Sequence, residues 1–73
     1  LRVYPNPAID EVMVEGGFSY LQVLDAYGRE ITLPRIAKNL GEVLNFRDQL
    51  PGLYLIRVVR DLEITSFRIV VKK

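Results

Sequence analysis

The sequence predicts an all-β fold, a small antiparallel sandwich or barrel of six or seven short strands. Apolar and polar residues alternate with a period of two along nearly the whole chain. Turn signals recur roughly every eight to twelve residues, and no stretch has a convincing helical period. The 73 residues carry no linker, low-complexity segment or internal repeat, so residues 1–73 read as one module. A chain this small is expected to commit almost every apolar residue, 49% of the total, to its core.

Each element has a local reason. Leu1 to Tyr4 forms a short opening strand, stopped by Pro5 and Pro7, which lack the N–H that a ladder needs. From Glu11 to Glu15, Val12 and Val14 share one face, and Gly16-Gly17 breaks the run. From Ser19 to Asp25, Leu21 and Val23 face one way and Tyr20, Gln22 and Leu24 the other. Asp25-Ala26-Tyr27-Gly28 is a tight hairpin turn, with Asp25 capping its own backbone and Gly28 supplying a positive φ. Arg29 to Leu33 continues the hairpin until Pro34 stops it. Arg35 to Gly41 reads as an irregular connection, and Leu44 and Phe46 mark a fourth run that ends at Asp48. Leu53 to Arg60 is apolar on both faces, as in a central strand. Arg60 to Glu63 turns the chain, and Ile64 to Val71 returns with Thr65, Phe67, Ile69 and Val71 on one side.

Composition removes most chemistry. The chain has no Cys, hence no disulfide, thiol nucleophile or thiolate metal site, and no His, the commonest general base and transition-metal ligand. Ten Lys plus Arg against nine Asp plus Glu leave a net charge of +1, too balanced for a nucleic-acid-binding face. The carboxylates of Asp10-Glu11, Asp25 with Glu30, and Asp48 sit at turns or strand ends, where they satisfy backbone donors more simply than they do acid–base work. No stretch spaces Asp and Asn as a calcium loop does, and Gly16-Gly17 opens no helix that would hold a phosphate. The chain is read as a non-enzyme, with no catalytic, metal or cofactor residue assigned. The longest apolar run, Leu53 to Ile56, is too short to insert into a membrane. With neither an initiator Met nor a signal-like start, the chain reads as a piece cut from a larger precursor.

Four separated landmarks are more specific together than apart. Val3-Tyr4-Pro5-Asn6-Pro7 resembles the Tyr-Pro-Asn-Pro opening of the C-terminal sorting domain (type A) of the type IX (Por) secretion system of certain Gram-negative bacteria. Val23-Leu24-Asp25-Ala26-Tyr27-Gly28-Arg29 is similar to that family's hydrophobic-Asp-x-x-Gly-Arg/Lys hairpin. Leu50-Pro51-Gly52-Leu53-Tyr54 resembles its Leu-Pro-x-Gly-x-Tyr strand, one residue shorter between Pro and Gly. Phe67 to Lys73 is similar to the apolar and basic stretch on which members end, although Phe67-Arg68 stands where a Lys is more usual.

The resemblance implies an immunoglobulin-like β-sandwich that acts as a sorting signal, with Tyr4, Pro5, Asn6, Pro7, Asp25, Gly28, Arg29, Gly52, Tyr54, Lys72 and Lys73 as the motif and recognition residues. It implies a cargo domain attached ahead of Leu1, passage through the periplasm, recognition by outer-membrane translocation machinery, and removal by a sortase-like cysteine peptidase. The destination it implies is the outer membrane surface or the extracellular space. Residue by residue, Gly28, Gly52 and Tyr54 have simpler structural readings as turn and core residues. Lys72 and Lys73, cationic and last, are the candidates for direct recognition by an acidic groove. The rival is an immunoglobulin-like or fibronectin-like adhesion or carbohydrate-binding module, which requires Tyr20, Tyr27 and Tyr54 to gather in one exposed patch. An exposed strand edge also offers a route to dimerisation.

Overall fold

A computed structural model describes residues 1–73. It contains eight strands and no helix: β1 (Arg2–Tyr4), β2 (Glu11–Glu15), β3 (Tyr20–Leu24), β4 (Glu30–Ile31), β5 (Arg35–Lys38), β6 (Gly41–Asn45), β7 (Gly52–Arg60) and β8 (Glu63–Val71). They form two antiparallel four-stranded sheets, ordered β1-β2-β6-β5 and β4-β3-β7-β8. The sheets pack as a sandwich, which decides between the two architectures left open by the strand count.

The alternation seen in the sequence explains the packing directly. Val12 pairs with Leu44 across β2 and β6, and Val23 with Ile56 and Leu21 with Val58 across β3 and β7. All six point inward and are buried, as are Ile69 and Val71 of β8. Phe46, just beyond β6, is completely buried and meets the Tyr54 ring edge-on at 5.1 Å. Such a contact adds roughly 0.5–1.5 kcal/mol to the burial of the two rings.

Two expectations need correction. Arg35–Lys38 is an edge strand on β6, not an irregular connection. It lacks the apolar alternation because its inward residues are Arg35 and Ala37, and all four of its residues are exposed. The Arg35 guanidinium reaches instead to Glu42 at 3.1 Å and to the Leu21 carbonyl of the opposite sheet at 3.3 Å. This ion pair is the nearest polar partner of Glu42 Oε1, an oxygen shielded from solvent and without a well-aligned hydrogen bond. Nor is nearly every apolar residue in the core: 14 of 73 residues are buried, and eleven large apolar side chains are exposed. A two-layer sandwich of short strands has two outer faces and two ends, too much surface for its polar residues to cover.

The turn that joins β5 to β6 depends on Gly41. A Cβ there would lie 2.1 Å from the Val14 carbonyl oxygen and 3.0 Å from the Glu15 Cα, both backbone atoms of β2. Gly41→Ala is therefore expected to push β6 off β2 and to cost about 1–3 kcal/mol in urea unfolding, as overpacked sites do. A variant as stable as the parent would show that the two strands do not approach so closely.

Candidate functional site

Strand register places all four sequence landmarks at the same end of the sandwich. In the second sheet β3 ends at Leu24, β7 begins at Gly52 and β8 ends at Val71, with Leu24 opposite Leu55 and Gly52 opposite Val71. In the first sheet β1 ends at Tyr4, β2 begins at Glu11 and β6 ends at Asn45. The segments 5–10, 25–29, 46–51 and 72–73 therefore emerge together. The turns at Gly16-Gly17, Asn39-Leu40 and Asp61-Leu62 lie at the opposite end.

The hairpin turn is built by one carboxylate. Asp25 Oδ1 accepts from the backbone N–H groups of Tyr27 and Arg29, each at 2.9 Å, and Oδ2 meets Arg29 Nε at 2.9 Å. Gly28 takes a φ of +82°, which closes the turn so that its N–H reaches the Asp25 carbonyl. The backbone N–H of Arg29 is the main reason that the Asp25 carboxyl lies below its ordinary value of 3.8. Partial burial opposes this shift, while the Tyr27 N–H and the Arg29 side chain reinforce it.

The second landmark buttresses the first. Tyr54 is buried, and its hydroxyl donates to the Leu50 carbonyl at 2.5 Å, so the ring holds the loop from Phe46 to Pro51 against the core. Burial, then the negative charge of Asp25, raises the phenol above its ordinary value of 10.0. Gly52, at a φ of +150°, starts β7 beside it. Between the two turns lies an open groove of about 550 Å³, lined by Asp25, Tyr27, Arg29, Leu50, Pro51 and Leu53 among others. Tyr27 and Leu50 are 85% and 79% exposed, so the groove, lined by apolar and polar residues in equal number, presents apolar side chains to a partner. The Arg29 guanidinium stands 5.4 Å from the Tyr27 ring centre.

The opening and closing segments meet on the other side of this end. Asn6 donates from Nδ2 to the Arg68 carbonyl at 3.0 Å and accepts at Oδ1 from the Val70 N–H at 3.1 Å. Ala8, fully buried, bonds through its N–H to Val70 and through its carbonyl to Lys72, a parallel bridge to Val71. Pro5 and Pro7, both preceded by cis bonds, flank Asn6 and are exposed. Lys73 differs from its expected role as a free cation. Its ammonium donates to the carbonyls of Phe46 and Arg47 at 2.8 and 2.9 Å and lies 3.6 Å from Asp10. Lys72 makes no such contact and is exposed.

Most of the predicted residues are thus gathered, in two adjacent groups. Asp25, Arg29, Gly52 and Tyr54 line the groove and Gly28 closes the turn beside it, while Pro5, Asn6, Pro7, Lys72 and Lys73 form the clasp. Tyr4 stands apart, its hydroxyl 3.4 Å from Glu15 on the outer face of the first sheet and its ring beneath Arg2. Neither Ala8 nor the exposed Leu50 is among the residues that the sequence marks for a role, and Tyr27 is marked only for the aromatic patch of the rival reading. Ala8 gave no signal at all, since a small residue after Pro7 looks like loop. Leu50 carried one, a large apolar residue placed beside a Pro-Gly turn where no core position was available.

The match with known families follows this geometry. The family model described as the secretion system C-terminal sorting domain matches residues 2–72. Searches of curated proteins and of solved structures gave no match.

Two outcomes test the construction of this end. The folded-state pKa of Asp25 is depressed, so its contribution to stability is present above pH 3.8 and disappears as the pH falls through the folded value. Asp25→Asn should remove that acid limb from the stability–pH profile, and an unchanged profile would show that the turn does not depend on the charge. Tyr54→Phe should lower stability by about 1 kcal/mol, the usual worth of a hydrogen bond to a part-buried carbonyl, as read by chemical denaturation.

Proposed function

Since the chain belongs to the secretion system C-terminal sorting domain family, we propose that it serves as the docking end of a type IX export signal, read where its four landmarks converge. The family supports a C-terminal sorting signal for type IX secretion, and so an exported protein bound for the cell surface or the extracellular space. It is a family of secretion signals and not of enzymes. The finer steps are our reading. Outer-membrane machinery recognises the folded end, a cargo domain is attached on the N-terminal side, and a sortase-like cysteine peptidase cuts between them.

The observation that carries this reading is the convergence itself. Residues scattered from Asn6 to Lys72 occupy one end, and the exposed side chains there include Tyr27, Arg29, Leu50 and Lys72. A groove that exposes Tyr27 and Leu50 with Arg29 on its wall, and the exposed Lys72 in the adjacent clasp, suit a partner that offers an apolar side chain and carboxylates. Lys72 is the better candidate for direct contact, because the Lys73 ammonium is already held by two carbonyls. The adhesion or carbohydrate-binding alternative requires an aromatic platform. Tyr20 stands at the opposite end beside Val59, Tyr27 is in the groove and Tyr54 is buried, so the three do not form one.

The test is a periplasmically exported reporter fused ahead of residues 1–73 in a type IX-competent strain. The reporter is expected in the medium or on the surface, and retention in the periplasm would defeat the sorting role. Within that fusion, Leu50→Ser and Lys72→Glu should lower export several-fold while the melting temperature moves by less than about 2 °C, since neither side chain is packed. Lys73→Ala should lower stability first. Full export by both surface variants would move recognition away from this end.

A further inference from the structure

The β8 strand is the outer edge of its sheet, and only half of that edge is covered. Arg60 and Glu63 pair across the two-residue turn Asp61-Leu62, so the antiparallel alternation turns the backbone groups of Ile64, Ser66, Arg68 and Val70 away from β7. The clasp satisfies the C-terminal part, with Asn6 and Ala8 bonding to the Arg68 carbonyl, to both backbone groups of Val70 and to the Lys72 N–H. The N–H and carbonyl of Ile64 and Ser66 and the N–H of Arg68 have no backbone partner. Glu63 to Ser66 are all exposed.

On the outer face of the sheet, the charged side chains beside this open stretch are both cationic, Glu63 and Asp61 lying at its hairpin end. On the outer face of the second sheet, Arg57 lies directly across from Ser66, whose small side chain leaves the guanidinium uncovered, and Arg68 follows two residues on. Neither arginine has an ion pair. The carboxylate of that face, Glu30, is held by Gln22 at 2.9 Å on the far strand pair. Next to Ser66 toward the hairpin tip, Tyr20, Val59 and Ile64 form an apolar row across three strands.

We propose that the open half of the β8 edge is a strand-accepting site for an extended segment of a partner protein, with carboxylates opposite Ser66 and Arg68. The fold already shows that the edge accepts a backbone partner, because Ala8 bridges to Val71 in parallel and the Asn6 side chain bonds to Arg68 and Val70, and the open stretch continues directly from them. Main-chain hydrogen bonds supply the affinity of such an addition, and the side chains on the outer face supply selectivity. A second copy of this chain fits poorly. Antiparallel pairing of two β8 strands about Ser66 would set Arg68 of each copy opposite Ile64 of the other and would bring no carboxylate to the four arginines of the joined outer face. The site lies on the sheet edge, apart from the groove, and does not depend on the sorting role.

The experiment uses the whole chain, labelled with 15N, and two capped octapeptides, (Thr-Glu)4 and (Thr-Lys)4. The acidic peptide should saturably shift the amides of Ile64, Ser66 and Arg68, with binding about fivefold or more tighter than the basic peptide, from two cross-strand charge pairs. Ser66→Pro removes an outward N–H while leaving the β7 ladder intact, and should abolish the shifts. Should that variant fail to fold, Arg68→Glu serves instead, and should invert the preference between the peptides. The proposal is overturned by no saturable shift up to about 5 mM, by equal binding of both peptides, or by unaltered binding to either variant. Concentration-dependent shifts at the same amides without peptide would overturn it in favour of a second copy.

Discussion

The pairing of Ala8 with Val71 is the contact on which the arrangement of the other elements depends. It joins the segment after β1 to the last strand, and so ties the first sheet to the second through main-chain hydrogen bonds rather than through side-chain packing alone. Without it, Ala8 would not be buried, Asn6 would have no backbone to hold, and the end of β8 would be an open edge. It also fixes the chain terminus. Once Lys72 is bonded to Ala8, Lys73 falls within reach of Phe46 and Arg47, and the loop between β6 and β7 is pinned in turn. The closure is costly in chain entropy, since more than sixty residues separate Asn6 from Val70. It is offset by the buried side chains of Ile69 and Val71, which pack into the core where the clasp forms.

Much of this was legible in the sequence, and the legible part has a common cause. Wherever a strand has one face on the core, the period of two names its inward residues, as for Val12 and Val14, Leu21 and Val23, or Tyr54, Ile56 and Val58. The Asp25 turn was equally readable, because its hydrogen bonds are local and require an Asp at one position and a Gly at another. The edge strand Arg35–Lys38 was not readable. Its fold is decided by backbone pairing with β6 and by an inward Arg35 that Glu42 neutralises, neither of which leaves an apolar pattern. Ala8 and Lys73 were illegible for another reason, since their partners lie far away along the chain and nothing near them records the contact.

The candidate end has the same split. That Asp25, Gly28, Gly52 and Tyr54 belong to turns or to the core follows from residue type alone. That they stand beside one another depends on the register of β3 against β7, with Leu24 opposite Leu55. A shift of one residue would turn Tyr54 outward and separate the two turns. The groove is therefore a product of sheet register, and the residues that fix the register, such as Val23 and Ile56, are core residues with no direct role in recognition.

A chain of this size has little freedom to build a concave site, because its buried residues are nearly all needed to hold two short-stranded sheets together. What it can vary is its ends, edges and outer faces, and its exposed apolar side chains lie there: Tyr27 and Leu50 at the landmark end, Leu62 at the hairpin tip, Ile36 and Ile64 on edge strands. A catalytic centre needs several groups fixed within fractions of an ångström by a supporting shell. A docking surface needs only exposed side chains on a rigid frame, which the Asp25 turn, the Tyr54 buttress and the clasp supply. The contacts that bring the landmarks together thus also make this end a rigid frame for its exposed side chains.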